Sequence, residues 1–465
     1  MKRMSRTTVY FKPTTDEGRA FETPVRASDV TYTTIMDVPI ALVWPDAQID
    51  PDVLQKGFQK AIDLLPVVAA RLVRKNGVLT LSTVNSKGAK LTICEVNCPM
   101  PSESAKSSAW NAYFESDIQP RFKEPYSRPL LSARLNLFRS TEGGGCALCV
   151  NFAHLLADGS SCLDFLKAWS YYCGKESGNQ EWLPKQEPKV PLLSRSIPVD
   201  VIPKSKEDIA KYKDQRESFA QALHGTIATF KSLFLVDDYI DLRIKSKDLA
   251  ELKQKWSAEL EQSSKWVSSF EVLMTLLLAL LMKTDGKTQL TYRAIVNIRE
   301  RSQLAPKEYF GNALSYPQFQ MNMNNNSLAE CAFGFHEQLR MYLADESELN
   351  RPHFAAEYFK PLSHPIFILD RARYVQPFMR AATEGQPVVN SWIGFDWFGV
   401  DFGLNGTQPS FLRVASTFRS HRHVHTFPSS SNGDITIRIQ MPPSKIEKFK
   451  SVLKDLGFAD IVQPI

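Results

Sequence analysis

Three groups of side chains in this 465-residue chain have the types and spacing that chemistry uses. The first is His154 with Asp158 and Gly159, in the run NFAHLLADGSS over 151–161. A neutral imidazole titrates near neutrality and can take a proton from a hydroxyl, so His154 is a candidate general base. Asp158, four residues on, could orient that base. It could equally cap the helix that follows, with Gly159 easing the turn and His154 packed as a core histidine. The second group is HRHVH, residues 421–425. If extended, it puts His421, His423 and His425 on one face, a zinc-ligand pattern that an exposed strand face would also give. The third is Cys146-x-x-Cys149, which lies inside an apolar run with no second half nearby and reads as packing.

The elements around these residues follow from periodicity. Residues 130–140 alternate like a strand, TEGGG (141–145) supplies a glycine turn, and the apolar run 146–154 resumes as a second strand ending at His154. Helical spacing follows over 161–172. Upstream, Leu54, Phe58, Ala61, Ile62 and Leu65 share one face of a helix over 52–66, which Pro66 helps to end, and 77–84 alternates as a strand. In the second half, helices are expected over 246–260, 267–283, 326–344 and 444–457, and strands over 288–298 and 433–441. Between them the stretch 176–215 is rich in proline and polar residues, the composition of an exposed crossover. The organisation is therefore an N-terminal lobe 1–175 with the histidine, a crossover 176–215 and a C-terminal lobe 216–465, both lobes α/β or α+β.

Composition narrows the partners. A net charge of +6 from 56 basic and 50 acidic residues is too weak and too scattered for nucleic acid, yet it suits a polyanionic small ligand such as a nucleotide-like molecule. Seven dispersed cysteines, an odd count, read as reduced thiols. The most apolar segment, Val272–Met282, is bounded by Glu271 and Lys283 and is too short to span a bilayer. The amino terminus is basic but lacks the apolar run of a signal peptide, so a cytoplasmic protein is expected.

Two further segments complete a pattern. Residues 296–313 (VNIRERSQLAPKEYFGNA) carry Arg299 and Arg301, and 390–406 (NSWIGFDWFGVDFGLNG) end in Asp401, Phe402 and Gly403. HLLADG resembles the His-x-x-x-Asp-Gly motif, and DFGLNG the Asp-Phe-Gly-Trp-Gly motif, of the BAHD acyl-CoA-dependent acyltransferases in the chloramphenicol acetyltransferase-like superfamily. The segments at 7–15, 33–37, 54–72, 143–170, 268–277 and 296–313 resemble that family in the same order.

The resemblance implies two lobes, each a mixed sheet with flanking helices, and an active-site channel between them. It implies that His154 deprotonates a small alcohol or amine acceptor, which attacks acyl-CoA without a covalent acyl-enzyme, and that His154 returns the proton to the CoA thiolate. Acyl-CoA is then a co-substrate; no permanently bound cofactor, metal, nucleic acid or membrane span is expected, and the chain is a monomer. The resemblance moves Asp158 from orienter to scaffold, paired with an arginine. Asp401 takes a similar distant part, Arg299 and Arg301 are the partners, and Gly159 and Gly403 support the loops. Trp392 matches a family tryptophan whose indole N–H can stabilise an oxyanion, although aromatic packing accounts for it equally. Asn390, two residues earlier, falls on the same strand face, where its amide could bond the acceptor. Ser268 or Ser269 matches a helix start near the CoA arm, with simple helix capping the favoured alternative. Leu404 and Asn405 depart from the family's tryptophan and glycine, with Gly406 one place late. Arg371, Arg373 and Arg380 fall where family members that read acidic acceptors carry an arginine. Two other readings stand: a relative of peptide-synthetase condensation domains using carrier-protein thioesters, against which Ala153 replaces a second histidine, and a binding paralogue without turnover.

Overall fold

The computed structural model describes residues 3–30, 37–105, 107–115, 128–139, 144–178, 181, 183, 186–195, 238–260, 265–358, 386–415 and 422–464. The chain forms two compact units. One comprises Met1–Ile202, Ala305–Ala313 and Phe395–Phe418; the other comprises Pro203–Leu304, Leu314–Gly394 and Arg419–Ile465. The expected crossover at 176–215 contains the first change of unit, but two short pieces of the second half belong with the first.

In the first unit, β1 (Arg3–Phe11), β2 (Asp37–Trp44), β3 (Ala89–Val96), β4 (Leu131–Phe138), β5 (Cys146–Ala153) and the strand Phe411–Val414 make one sheet, in the order β1-β3-β4-β5-β2-(Phe411–Val414). β3 and β4 run parallel and the other neighbours antiparallel. The expected hairpin is present as β4 and β5, with Leu131 opposite Phe152 and Leu137 opposite Cys146. Residues 141–143 of its turn lie outside the described residues. β2, β4 and β5 are buried along their whole length; in β4 the alternation persists as buried Ser132, Arg134 and Asn136, of which Arg134 and Asn136 donate to backbone carbonyls of residues 112–114. One face packs on α1 (Pro51–Leu64) and α2 (Gly159–Glu176) through Phe152, Phe165, Phe58 and Trp169. The two helices approach so closely that a Cβ on Gly57 would lie 2.4 Å from the Cys173 sulfur. The other face meets Trp110 and Phe411 through Ala147 and Cys149. Cys146 and Cys149, three apart on a strand, therefore point to opposite faces; both thiols are free, and burial pushes each up to about 12.

The second unit has a seven-stranded sheet of β6 (Asp238–Ile244), β7 (Gln289–Ala294), β8 (Gln318–Asn322), β9 (Val388–Ser391), β10 (His423–Pro428), β11 (Ile435–Met441) and β12 (Val462–Pro464), ordered β8-β7-β9-β10-β11-β6-β12. β7, β9 and β10 are mutually parallel neighbours. Val389, Val424, Ile437, Ile439, Ile240 and Leu242 face a helical core that includes α3 (Ser246–Leu260), α4 (Ser269–Thr284) and α5 (Leu328–Ala344). α4 is buried almost all round, as the apolar run 272–282 requires. Among the described residues no helix is long and apolar enough to cross a membrane. The strand period places Asn390, His423, His425, Arg438 and Asp241 on the sheet face away from that core.

Candidate active site

His154 leaves the end of β5, in the turn before α2. The cap reading of Asp158 holds: its Oδ1 accepts from the Ser161 N–H at 3.0 Å, closing the first turn of α2. Gly159 takes the first helical position. The same carboxylate also reaches outside the helix, its Oδ2 accepting from the Ala313 N–H at 2.9 Å. Ser161 Oγ donates to the Gly311 carbonyl (3.1 Å) and accepts from the Gly311 N–H (3.0 Å). Residues 311–313, about 150 positions away in sequence, thus clamp the histidine loop.

Asn312 sets the state of the imidazole. Its Nδ2 donates to Asp29 Oδ1 at 3.0 Å and to the His154 carbonyl at 2.7 Å. With both acceptors on that side, the amide oxygen must face His154 Nδ1, 3.0 Å away. An oxygen accepts only, so Nδ1 carries the hydrogen and Nε2 holds the lone pair. Asp29, on the short helix Ala27–Val30, is fully buried and shares its other oxygen with Arg195 at 3.2 Å. Arg195, itself 0% exposed, donates to the Leu155 carbonyl at 2.9 Å and to that of Leu156. Sequence reading assigned Asn312 no role and left Asp29 and Arg195 unmentioned.

Arg195 also corrects the expectation that 176–215 is simply exposed. Leu192 forms a parallel bridge with Tyr309, its N–H donating to the Glu308 carbonyl at 2.8 Å and its carbonyl accepting from Phe310 at 3.0 Å. The proline-rich stretch thus contributes a buried arginine and a bridge partner to the clamp.

Burial pushes the His154 imidazole below its ordinary pKa, outweighing the opposing pull of its own carbonyl, of Asp158 and of Asn312. Burial likewise raises the Asp29 carboxyl, against Arg195, Arg26 and Asn312. His154 is therefore neutral at pH 7, the form that accepts a proton.

The remaining candidates fall in several places. Asp401 has no arginine partner among the described residues. Its Oδ1 accepts from Gly403 N–H (3.2 Å) and Ser170 Oγ (3.3 Å), and its Oδ2 from Gly406 N–H (2.8 Å). The expected ion pair is replaced by a turn that the carboxylate closes on its own backbone, which satisfies it without a charge. Arg299 is buried, its Nη1 3.2 Å from Asn297 Oδ1, whereas Arg301 is exposed and reaches the Asn297 carbonyl at 3.3 Å. Trp392 is buried just after β9, its backbone N–H donating to the Thr426 carbonyl at 2.7 Å. Its ring stands perpendicular to that of His425, with centroids 4.3 Å apart. Asn390 lies on the same strand as expected, with His425 as its Cα partner. At the start of α4, Ser268 forms a capping box with Glu271 and Ser269 is the first helical residue, so the cap belongs to Ser268. His421, Arg371, Arg373 and Arg380 lie outside the described residues.

The geometry leaves a buried, neutral imidazole of fixed tautomer just past a strand end, and comparison with known proteins supplies the family. Residues 49–456 match the profile of the Transferase family, and the chain belongs to that family, of BAHD type. No curated protein sequence matches the chain. Among solved structures it is similar to vinorine synthase (15% identity, covering 98% of each chain, TM-score 0.65). It is similar also to TRI101 of F. graminearum complexed with ethyl coenzyme A (15% identity, covering 96% of this chain and 99% of that one, TM-score 0.69). The first condensation domain of the calcium-dependent antibiotic synthetase is also similar (14% identity, covering 95% of this chain and 98% of that one, TM-score 0.56). At these identities the likeness is one of fold: mixed α/β, with two sheet-rich regions.

Proposed function

We propose that the protein transfers an acyl group from acyl-CoA to a hydroxyl or amine of a small acceptor, with His154 as general base. The observation that carries the reading is the Asn312 amide on Nδ1, which leaves Nε2 as the proton acceptor. Nε2 removes the acceptor's proton as its oxygen or nitrogen attacks the thioester carbonyl, whose π electrons move onto oxygen. The tetrahedral intermediate collapses, the C–S bond breaks, and the departing CoA thiolate takes the proton back from the imidazolium. The base is regenerated and no acyl-enzyme forms. Trp392 is the proposed oxyanion donor. Asp158 and Gly159, with Arg299 as the buried arginine, are proposed as scaffold; Arg301, being exposed, fits that part less well. Acyl-CoA is a substrate here, and the fold likeness to a protein complexed with ethyl coenzyme A supports that choice.

The test is thiol release from free acetyl-, malonyl-, aromatic and long-chain acyl-CoAs with a panel of alcohols and amines. His154→Ala should lower turnover by about 10²–10⁴-fold while the thermal midpoint stays near that of the wild type. Turnover retained in that variant would overturn the assignment. Activity with carrier-protein thioesters but not with free acyl-CoA would move the protein to the condensation-domain reading.

A further inference from the structure

One rung of the second unit's sheet carries chemistry that the reaction above does not use. Asn390 on β9 has His425 on β10 as its partner, His425 has Arg438 on β11, and Arg438 has Asp241 on β6. Arg438 and Asp241 neutralise one another through a two-pronged ion pair of 2.8 and 2.9 Å. His425 is 6% exposed, and its Nε2 makes no hydrogen bond. The half-buried Asn390 amide beside it is also unbonded among the described residues. Folded proteins satisfy nearly all buried polar atoms, so an orphaned ring nitrogen next to an open amide and an indole wall marks a place for a ligand atom.

Charge selects the ligand. Burial, with His423 and Arg438 nearby, holds His425 well below its ordinary pKa, so the ring is neutral. Burial and Arg438 push His423, with its ring centroid 6.0 Å from that of His425, down to about 4. Arg438 thus disfavours a metal cation here, and because Asp241 already engages it, it offers little net charge to an anion. An amide and a neutral imidazole can each donate or accept, which suits uncharged oxygen.

We propose that Asn390 and His425 form a recognition subsite, walled by Trp392, for a neutral hydroxyl or carbonyl of the acceptor, which makes the acceptor an uncharged oxygenated molecule and not a carboxylate. The proposal rests on the acyl-transfer reading for the word acceptor, but the subsite itself can be probed without turnover.

The probes are two matched pairs: 2-phenylethanol with phenylacetate, and cyclohexylmethanol with cyclohexanecarboxylate. Binding to the full chain is titrated by ligand-observed NMR. The alcohol of each pair should bind more tightly than its acid. His425→Leu and Asn390→Leu should each weaken the alcohols by about three- to tenfold, the effect of losing one hydrogen bond, and leave the acids unchanged. His425→Gln should retain most of the affinity. Preference for the acids, no binding of either alcohol to the wild type, or alcohol affinity indifferent to both leucine variants overturns the proposal. If His425→Leu fails to fold by circular dichroism, Asn390→Leu at its half-buried position decides alone. A His154→Ala protein that still turns over defeats the acyl-transfer reading and leaves this binding pattern standing. An inactive His154→Ala together with indifferent alcohol binding defeats only the subsite.

Discussion

Two regions of this chain treat buried polar groups in opposite ways. Around the His154 loop, in the first unit, they hold each other: Asp158 closes on Ser161 and Ala313, Asn312 on Asp29 and His154, and Arg195 on Asp29 and two loop carbonyls. On the β9–β10 pair of the second unit, Asn390 and His425 Nε2 are left open beside an indole. A base must be fixed in tautomer and direction before substrate arrives, and hydrogen bonds supply that fixity. A recognition face must exchange water or vacancy for ligand, so its groups stay uncommitted. The contrast separates groups held in place from groups left open to a ligand.

The strongest way to break the first half of that contrast is at Arg195. Arg195→Met removes a fully buried charge from a fully buried carboxylate and strips donors from the Leu155 and Leu156 carbonyls. Breaking one partner of a buried ion pair costs about 3–5 kcal/mol, and a denaturant titration should read a loss of that size. A loss below about 1 kcal/mol would mean that the clamp is not what holds the loop. The corresponding removal in the open region, His425→Leu, should cost far less, because no partner is abandoned there.

A smaller and more specific effect is expected at Asn312. Asn312→Ala frees the imidazole to take the wrong tautomer, and kcat should fall by about ten- to a hundredfold. The pH profile distinguishes this from general loosening. Rate is lost as pH falls and Nε2 becomes protonated. Burial sets the wild-type acid limb below the ordinary histidine value of 6.5, and the Asn312 bond pulls it partly back up. Removing that bond should move the limb of kcat/KM to still lower pH while the plateau drops. A dropped plateau with an unmoved limb would assign Asn312 a structural role only.

The sequence carried more of the fold than of the site. The helices at 52–66 and 246–260 and the strand pair ending at His154 follow from local periodicity and caps, and the structure has them within a few residues. The candidate base His154 was legible because its strand, turn and helix are contiguous. Its support was not, since Asp29, Arg195 and Asn312 come from three distant segments and none lies in a periodic pattern. Arg195 sits among prolines, where composition argues for exposure; only the pairing of Leu192 with Tyr309 draws it inward. For Asn312 a signal was present, in the Tyr-Phe-Gly-Asn run already grouped with the family pattern. The Asp401 ion pair was misjudged because a carboxylate followed by glycines can close on its own backbone, and resemblance alone does not separate that outcome from a salt bridge.

The smallest expected effect lies in that Asp401 turn, and it tests whether satisfaction by backbone is as rigid as satisfaction by charge. Phe402, Gly403, Asn405 and Gly406 all have positive φ, at 51, 86, 56 and 80°. The family's glycine is Asn405 here, and asparagine is among the residues that tolerate this region, so the departure keeps the turn. Asn405→Gly should shift stability by no more than about 0.5 kcal/mol. Gly403→Ala should cost about 1–2 kcal/mol, since it adds a Cβ at a left-handed position and brings it 3.2 Å from the Cys173 carbonyl and from Val53 Cγ1. The two urea midpoints, measured side by side, check the pair. A Gly403→Ala protein as stable as Asn405→Gly would show that the Asp401 turn yields to the added Cβ, and the Asp401 carboxylate would then be a looser anchor than its three hydrogen bonds suggest.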